Sequence, residues 1–160
     1  MRFTAQEEYG LRCMLQMARH EGDKPLTITS IAELEGLTAP YVGKLMHALR
    51  QGGLVKSIRG QKGGYHLARP AKDISLDEIF SALDGHFFEP DYCERYHGQE
   101  NLCVHTTECS IRSLWARLDA VIREILRKTS LADMSRTERL MGYLLQSRSD
   151  AASEAAGGKP

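Results

Sequence analysis

Apolar residues recur at helical spacing in the first part of the chain, and capping patterns mark where helices begin. The segment Thr4-Ala-Gln-Glu7 has the form of a capping box, and the spacing behind it predicts a helix over residues ~5–20. Ser30-Ile-Ala-Glu33 has the same form and predicts a short second helix that ends at Gly36. The chain is therefore expected to begin with two helices.

A third helix is predicted from Pro40 to Gln51, with Thr38 as its N-cap. Its apolar residues share one face, and the pattern then changes to a period of two on both sides of a glycine-rich segment, residues 59–64. Two short strands around such a segment form a β-hairpin. Helix, turn, helix and hairpin in this order predict a winged helix-turn-helix, whose second helix enters the major groove of DNA.

The second part of the chain has one more short helix and one long helix. Ser75-Leu-Asp-Glu78 is a third capping box and predicts a helix that ends at Gly85. From Leu114 to Leu126 the apolar residues recur as in a long amphipathic helix, which the small amino-terminal module is not expected to cover. We expect a second copy of the same helix to cover it; packing within one chain is the alternative. Ser135-Arg-Thr-Glu138 predicts a final short helix.

These patterns divide the chain into four parts. Residues 1–85 are interpreted as a winged helix-turn-helix DNA-binding domain and residues 86–112 as a cysteine-bearing loop. Residues 113–146 are interpreted as a dimerisation helix with the C-terminal helix, and residues 147–160 as a disordered tail. The expected fold class is mainly α, with a small β-hairpin wing.

Charge is distributed unevenly along a chain whose formal net charge is zero. No Asp or Glu occurs between Gly36 and Lys72, whereas Lys and Arg recur throughout this stretch. A segment of one sign and this length is expected to bind a polyanion, here double-stranded DNA, and a basic face without a partner is the alternative. The residues expected to contact DNA lie on the third helix and the hairpin: Thr38, Ala39, Tyr41, Lys44, His47, Arg50, Arg59, Gln61, Lys62, Gly63, Gly64 and Tyr65.

Composition argues against several other classes of protein. No apolar run approaches the ~18 residues of a membrane span, so no membrane partner is expected. The amino terminus carries acidic residues where a signal peptide has an apolar stretch, which predicts a cytoplasmic protein. No arrangement of nucleophile and base and no phosphate-binding loop is present, so an enzyme is not indicated.

Three of the four cysteines lie in the loop that lacks hydrophobic periodicity. In a reducing compartment Cys93, Cys103 and Cys109 are expected to bind metal rather than to form disulfides, and soft thiolates favour zinc or an iron-sulfur cluster. The spacing is not the CxxC of structural zinc, although His97 and His105 in the same loop leave a Cys3His zinc site open. A metal-free thiol switch is a further alternative. Cys13 has apolar neighbours on the first helix and is interpreted as a buried core thiol.

Several segments of the chain match one known family. They are Met1-Arg-Phe-Thr4, Tyr41, Leu54-Val-Lys-Ser-Ile-Arg-Gly60, Gly63-Gly-Tyr-His-Leu-Ala-Arg-Pro70, the three loop cysteines and Leu131-Ala-Asp133. Through them the chain resembles the IscR/NsrR/RirA (Rrf2) family of winged-helix regulators, from the first residue to about residue 145. The resemblance implies a homodimer on roughly palindromic promoter sites, and an iron-sulfur cluster whose state tunes DNA binding.

The resemblance also implies a set of cluster ligands. Members with a histidine ligand to a 2Fe-2S cluster place it three residues after the last cysteine, where this chain has Arg112. Other members use an acidic residue of the opposite subunit near the start of the first helix, and Glu8 occupies that position. The expected ligands are therefore the three cysteines and Glu8, with His105 as the fallback. A 4Fe-4S cluster is slightly favoured over 2Fe-2S, although the nine-residue gap after Cys93 is longer than usual.

These observations together predict a sequence-specific DNA-binding transcriptional regulator, either a repressor or a dual regulator. Its cluster is expected to respond to redox conditions, nitric oxide or iron-sulfur status. A zinc-binding interaction module and a metal-free thiol-switch regulator are the alternatives.

Overall fold

The fold is mainly helical with a two-stranded antiparallel hairpin, which confirms the predicted fold class. The computed structural model of the chain describes residues 4–20, 24–60, 63–83, 92–96, 103, 105, 108–136, 142 and 146. The elements follow in the order α1 (Ala5–Arg19), α2 (Ile28–Glu35), α3 (Ala39–Gln51), β1 (Val55–Ile58), β2 (Gly64–Leu67), the 3-10 turn Ala71–Asp73, α4 (Leu76–Ala82), α5 (Tyr92–Arg95), α6 (Ser110–Lys128) and α7 (Leu131–Met134).

Side-chain caps explain where most of these helices begin. Thr4 and Ser75 each close the predicted capping box with a glutamate three residues later. The predicted start of α2 is wrong, because the Thr27 hydroxyl accepts the Ser30 N–H at 3.0 Å and the helix begins one turn earlier. Thr38 occupies the predicted N-cap of α3, but its side chain makes no capping hydrogen bond.

The end of α6 is tied to the start of α4 by a short stretch of strand-like pairing. The Leu76 N–H donates to the Thr129 carbonyl at 2.9 Å, and the Leu131 N–H donates to the Ile74 carbonyl at 2.8 Å. Ser130 then closes a capping box and starts α7, a separate short helix that the sequence pattern does not predict. Most of the final helix predicted after residue 135, and the tail over residues 147–160, lie outside the described residues.

The hydrophobic core lies between α1, α2, α3 and α4. The predicted inner face of α3 is confirmed, since its four apolar side chains are fully buried: Val42, Leu45, Met46 and Leu49. Cys13 lies in the same core, where burial raises the pKa of its thiol to about 12. The thiol therefore stays protonated at neutral pH, as expected of a core cysteine.

The hairpin is fixed to the segment that precedes α2. The backbone groups of Leu26 and Tyr65 exchange two hydrogen bonds of 3.0 and 2.9 Å, which adds a bridge beside β2. This approach leaves no space for a side chain at Gly64, where a Cβ would lie 2.8 Å from the Leu26 carbonyl oxygen. Glycine at this position therefore lets the wing pack against the helical core.

We expect Gly64→Ala to lower the free energy of unfolding by ~1–3 kcal/mol, because backbone would have to move to admit the methyl group. Gly43→Ala is the matched control, since a Cβ there would lie 3.8 Å from Ile28 Cδ1, an ordinary contact. Alanine also favours the helix by about 1 kcal/mol at such a position. Denaturant unfolding measures both changes, and equal stabilisation by both would contradict the close packing at Gly64.

Candidate DNA interface and cysteine loop

The face of α3 that points away from the core is polar and basic. Lys44, His47 and Arg50 are exposed there and follow one another at three-residue spacing, so they share one side of the helix. The His47 ring nitrogen Nε2 lies 3.3 Å from the Gln51 side-chain nitrogen near the end of the helix. At its start Thr38 is exposed. This face is available to a groove of DNA.

Tyr41, which is predicted to contact DNA, is half-buried and packs against α1. Its ring meets Tyr9 edge-on, with centroids 6.0 Å apart and planes at 83°. Arg12 lies over the Tyr9 ring at 5.5 Å, and its Nε donates to the Glu35 carboxylate of α2 at 2.6 Å. Gln16 donates to the other oxygen of Glu35, also at 2.6 Å. One face of α1 thus holds both helices of the helix-turn-helix in place.

The hairpin adds further exposed cations beside α3. Lys56 and Arg59 are both exposed on or next to β1. Gln61 and Lys62, predicted to contact DNA at the tip, lie outside the described residues. An exposed arginine at the edge of a wing can reach a base edge or a narrow minor groove.

The glycines at the tip have a structural reason to be there. Gly60 has a φ of 115°, in the region that favours glycine. The Gly63 N–H donates to the Gly60 carbonyl at 2.9 Å, and a Cβ on Gly63 would lie 2.6 Å from the Ile58 carbonyl oxygen. Gly63 therefore keeps the turn tight, whatever its part in DNA contact.

Among its described residues, the basic stretch leaves most of its charge without an ion pair. Arg69 differs, because it donates to the Glu78 carboxylate and to the Asp73 carbonyl. Although partial burial opposes it, hydrogen bonds from Ser75 and Arg69 lower the pKa of Glu78. In the described part of the chain no ion pair involves the exposed cations of α3, of β1 and of the residue after β1, which are Lys44, Arg50, Lys56 and Arg59.

The three loop cysteines are free, partly exposed thiols. Cys93 lies in α5, a four-residue helix within the loop that the sequence pattern does not indicate. Cys109 is the N-cap of α6, and its Sγ accepts the Arg112 N–H at 3.3 Å. Within the described ranges no three His, Cys, Asp or Glu side chains lie close enough to hold a metal ion. The single chain therefore does not bring Cys93, Cys103 and Cys109 together.

The chemistry of these donors nevertheless suits an iron-sulfur cluster. All three thiols are free, and cysteine sulfur is the usual protein ligand of iron-sulfur clusters. Glu8 is exposed on the first turns of α1, where a second subunit could meet it, and His105 is also exposed. Three soft ligands and one accessible carboxylate or imidazole are thus present.

The outer face of α6 is apolar and uncovered, as expected of the predicted amphipathic helix. Large apolar side chains that are 39–54% exposed line this face: Ile111, Leu114, Trp115, Leu118, Val121 and Ile125. No residue of α6 is fully buried. Among the described helices none is long and apolar enough to cross a membrane.

The chain matches the model of the Rrf2 family, described as "Iron-dependent Transcriptional regulator", over residues 3–137. The chain belongs to the Rrf2 family of transcriptional regulators. This confirms the resemblance predicted from the sequence. The members of the family are regulators of transcription rather than enzymes.

Individual relatives of this Rrf2-family chain cover nearly its whole length. It is 32% identical to Protein rrf2 of Nitratidesulfovibrio vulgaris over 141 residues, which are 88% of this chain and 91% of that protein. It is 30% identical to the HTH-type transcriptional regulator IscR of Sodalis glossinidius over 160 residues, 100% of this chain and 94% of the relative.

Solved structures of similar proteins share the fold. IscR of T. potens superposes with a TM-score of 0.64 at 34% identity and covers 84% of this chain and 85% of its own. CymR, the global cysteine regulator of B. subtilis, gives a TM-score of 0.66 at 31% identity, covering 84% and 96%. These neighbours confirm the winged-helix architecture of this Rrf2-family chain.

Proposed function

We propose that this Rrf2-family chain is a cytoplasmic, homodimeric repressor that binds promoter DNA through α3 and the wing. We further propose that an iron-sulfur cluster modulates this binding, with Cys93, Cys103, Cys109 and Glu8 of the partner subunit as ligands. The observation that carries the DNA-binding part is the set of exposed cations on α3 and on or next to β1 that form no ion pair within the described residues.

Residues at the start of α3 and the basic side chains would make different kinds of contact with the duplex. Thr38, the N-cap of α3, and Ala39, its first residue, would contact base edges, as the first residues of a recognition helix do in this motif. Lys44, Arg50 and Lys56 suit phosphate contacts, which give affinity and register but little sequence information. Tyr41 acts indirectly in this account, because its ring holds α3 against Tyr9.

The cysteine loop supports the sensing part of the proposal. A bound cluster supplies a centre that reacts with oxidants or nitric oxide. Cys93 would hold it from α5, Cys109 from the N-cap of α6, and the carboxylate of Glu8 would reach it from the partner's α1. His105 is the fallback for the fourth position. The family's description as iron-dependent agrees with a metal centre.

We expect Arg59→Ala to weaken specific binding by ~1–3 kcal/mol if this side chain reads a base edge. Lys62→Ala should instead reduce the slope of log affinity against log salt concentration by about one, the effect of losing one phosphate contact, without changing sequence preference. Arg127→Ala removes an exposed cation from α6 and is the matched control. Fluorescence anisotropy over a salt series measures all three variants. Unchanged affinity and salt dependence in both wing variants would contradict a role of the hairpin in binding.

Selection of DNA from a random library tests the proposed function whatever the sequence of the operator. Protein purified without oxygen should enrich one roughly palindromic site, and it should bind that site at least about 1,000-fold more tightly than random DNA. Enrichment of no sequence above non-specific binding would contradict the proposal.

A further inference from the structure

In the described part of the chain, the hydrogen bonds and the ion pair that join the long helix α6 to the DNA-binding part lie towards its carboxyl end. There Thr129 and Leu131 are buried and pair with the backbone around Leu76. The other end of α6, which Cys109 caps, has no fully buried residue. From Arg123 to Ile111 this helix extends about 18 Å beyond the join. Small rotations at the join therefore become large displacements at the far end.

Arg123 connects the two sides of this join. Its Nη1 donates to the Asp77 carboxylate in the first turn of α4 at 3.0 Å, and its Nε donates to Asp119 of α6 at 3.1 Å. All three side chains are about four-fifths buried. The guanidinium thus holds one carboxylate on each side with two different N–H groups, in an environment where ion pairs are screened less than at the surface.

The second carboxylate oxygen of Asp119 takes no part in this contact. Asp119 Oδ1 is buried, and within the described part of the chain it accepts no hydrogen bond. A buried acceptor without a donor is unfavourable. The arrangement therefore depends on Arg123 to compensate the Asp119 charge.

We propose that Arg123 is a positioning residue that sets the angle between α6 and the DNA-binding part of the chain. This inference rests on the proposed function, because in a dimer joined through α6 the angle determines how far apart the two recognition helices lie. Arg123 would thereby determine which spacing of operator half-sites the dimer prefers.

The dimensions make this effect measurable. A rotation of about 10° at the join moves a point 18 Å away by about 3 Å, which is close to the rise of one base pair. Moving a half-site by one base pair also turns it by about 34–36° around the duplex, so a dimer held at one angle should discriminate sharply between neighbouring spacings.

The test measures affinity for a series of operators in which the two half-sites are moved apart or together by one and two base pairs. Wild-type protein should prefer one spacing by at least about tenfold over its neighbours. In Arg123→Gln this preference should fall below about threefold or move to another spacing, while the variant remains a dimer.

Two further variants separate geometry from charge and from folding. Arg127→Gln removes the same charge from an exposed position on the same helix, and it should keep the wild-type spacing profile. Asp77→Asn removes the charge but keeps an oxygen acceptor for Arg123, and it should also weaken the preference for one spacing. If Arg123→Gln does not fold, Asp77→Asn alone tests the inference. Adding Asp77→Asn to Arg123→Gln should change the profile little further, because Arg123→Gln already lacks the ion pair with Asp77.

A wild-type spacing profile in both Arg123→Gln and Asp77→Asn would overturn the inference and leave the proposed function intact. Failure of the wild-type protein to bind any operator of the series would contradict the proposed function, and the inference with it.

Discussion

Replacement of Cys93, Cys103 or Cys109 by alanine is expected to abolish the brown colour of protein purified without oxygen. Each thiolate supplies one of the few protein ligands of the proposed cluster, and no other cysteine among the described residues lies on the surface to replace it. Iron and acid-labile sulfide analysis, together with the visible absorption spectrum, measures the loss in each single variant.

Cys13→Ala is the matched control for these variants. Cys13 is fully buried in the core, and burial raises the pKa of its thiol to about 12, so it is unsuited to bind metal. This variant should keep a full complement of iron. Stoichiometric zinc in colourless wild-type protein, or normal iron content after loss of a loop cysteine, would contradict the cluster proposal.

Leu118→Asp is expected to convert the dimer into monomers and to reduce operator affinity by about 100-fold or more. A charge in the middle of the apolar face of α6 would have to be buried without a partner, which strongly disfavours association. A monomer then binds one half-site and loses the gain of simultaneous attachment to two, which typically amounts to a factor of about 100 or more. Analytical ultracentrifugation and anisotropy measure the two effects.

Ala120→Asp provides the comparison. Ala120 is exposed on the same helix but lies on the other side from Leu118, since two residues correspond to a turn of about 200°. It should leave both the dimer and its affinity unchanged. If Leu118→Asp were dimeric with normal operator affinity, α6 would not be the interface.

The sequence allowed most of the fold to be predicted, because helices depend on local signals. The capping boxes at Thr4 and Ser75 and the inner face of α3 are local patterns, and the structure has them as expected. The predicted start of α2 is wrong because both Thr27 and Ser30 are suitable N-cap residues. The structure has Thr27 as the N-cap, since its hydroxyl accepts the Ser30 N–H, and the helix begins one turn earlier.

The contacts that position the candidate sites could not be predicted in this way. Arg12 and Glu35 are 23 positions apart, and Asp77 and Arg123 are 46 positions apart. Such pairs form only when packing brings distant elements together, so no periodic pattern marks them. Tyr41 illustrates this, because its place on α3 predicts DNA contact but no sequence pattern indicates that its ring also packs against Tyr9.

The cysteine loop shows a further limit of sequence reasoning. The residue types reveal soft ligands, but whether they converge depends on a fold that has little apolar periodicity to direct it. The capping of α6 by Cys109 is a case in point, since cysteine is not among the preferred N-cap residues. The prediction of the cluster ligands therefore depends more on the family resemblance than on the spacing of the cysteines.

The most direct test of the account compares operator affinity for cluster-loaded and cluster-free protein at one salt concentration, with and without Glu8→Ala. We expect the two forms of the wild-type protein to differ at least about fivefold, the lower end of typical allosteric coupling. Glu8→Ala should remain dimeric and lose most of this difference or lose the cluster, whereas Glu124→Ala, which removes an exposed carboxylate of α6, should behave as wild type. Equal affinity of the loaded and cluster-free wild-type protein would contradict the central claim that the cluster controls DNA binding.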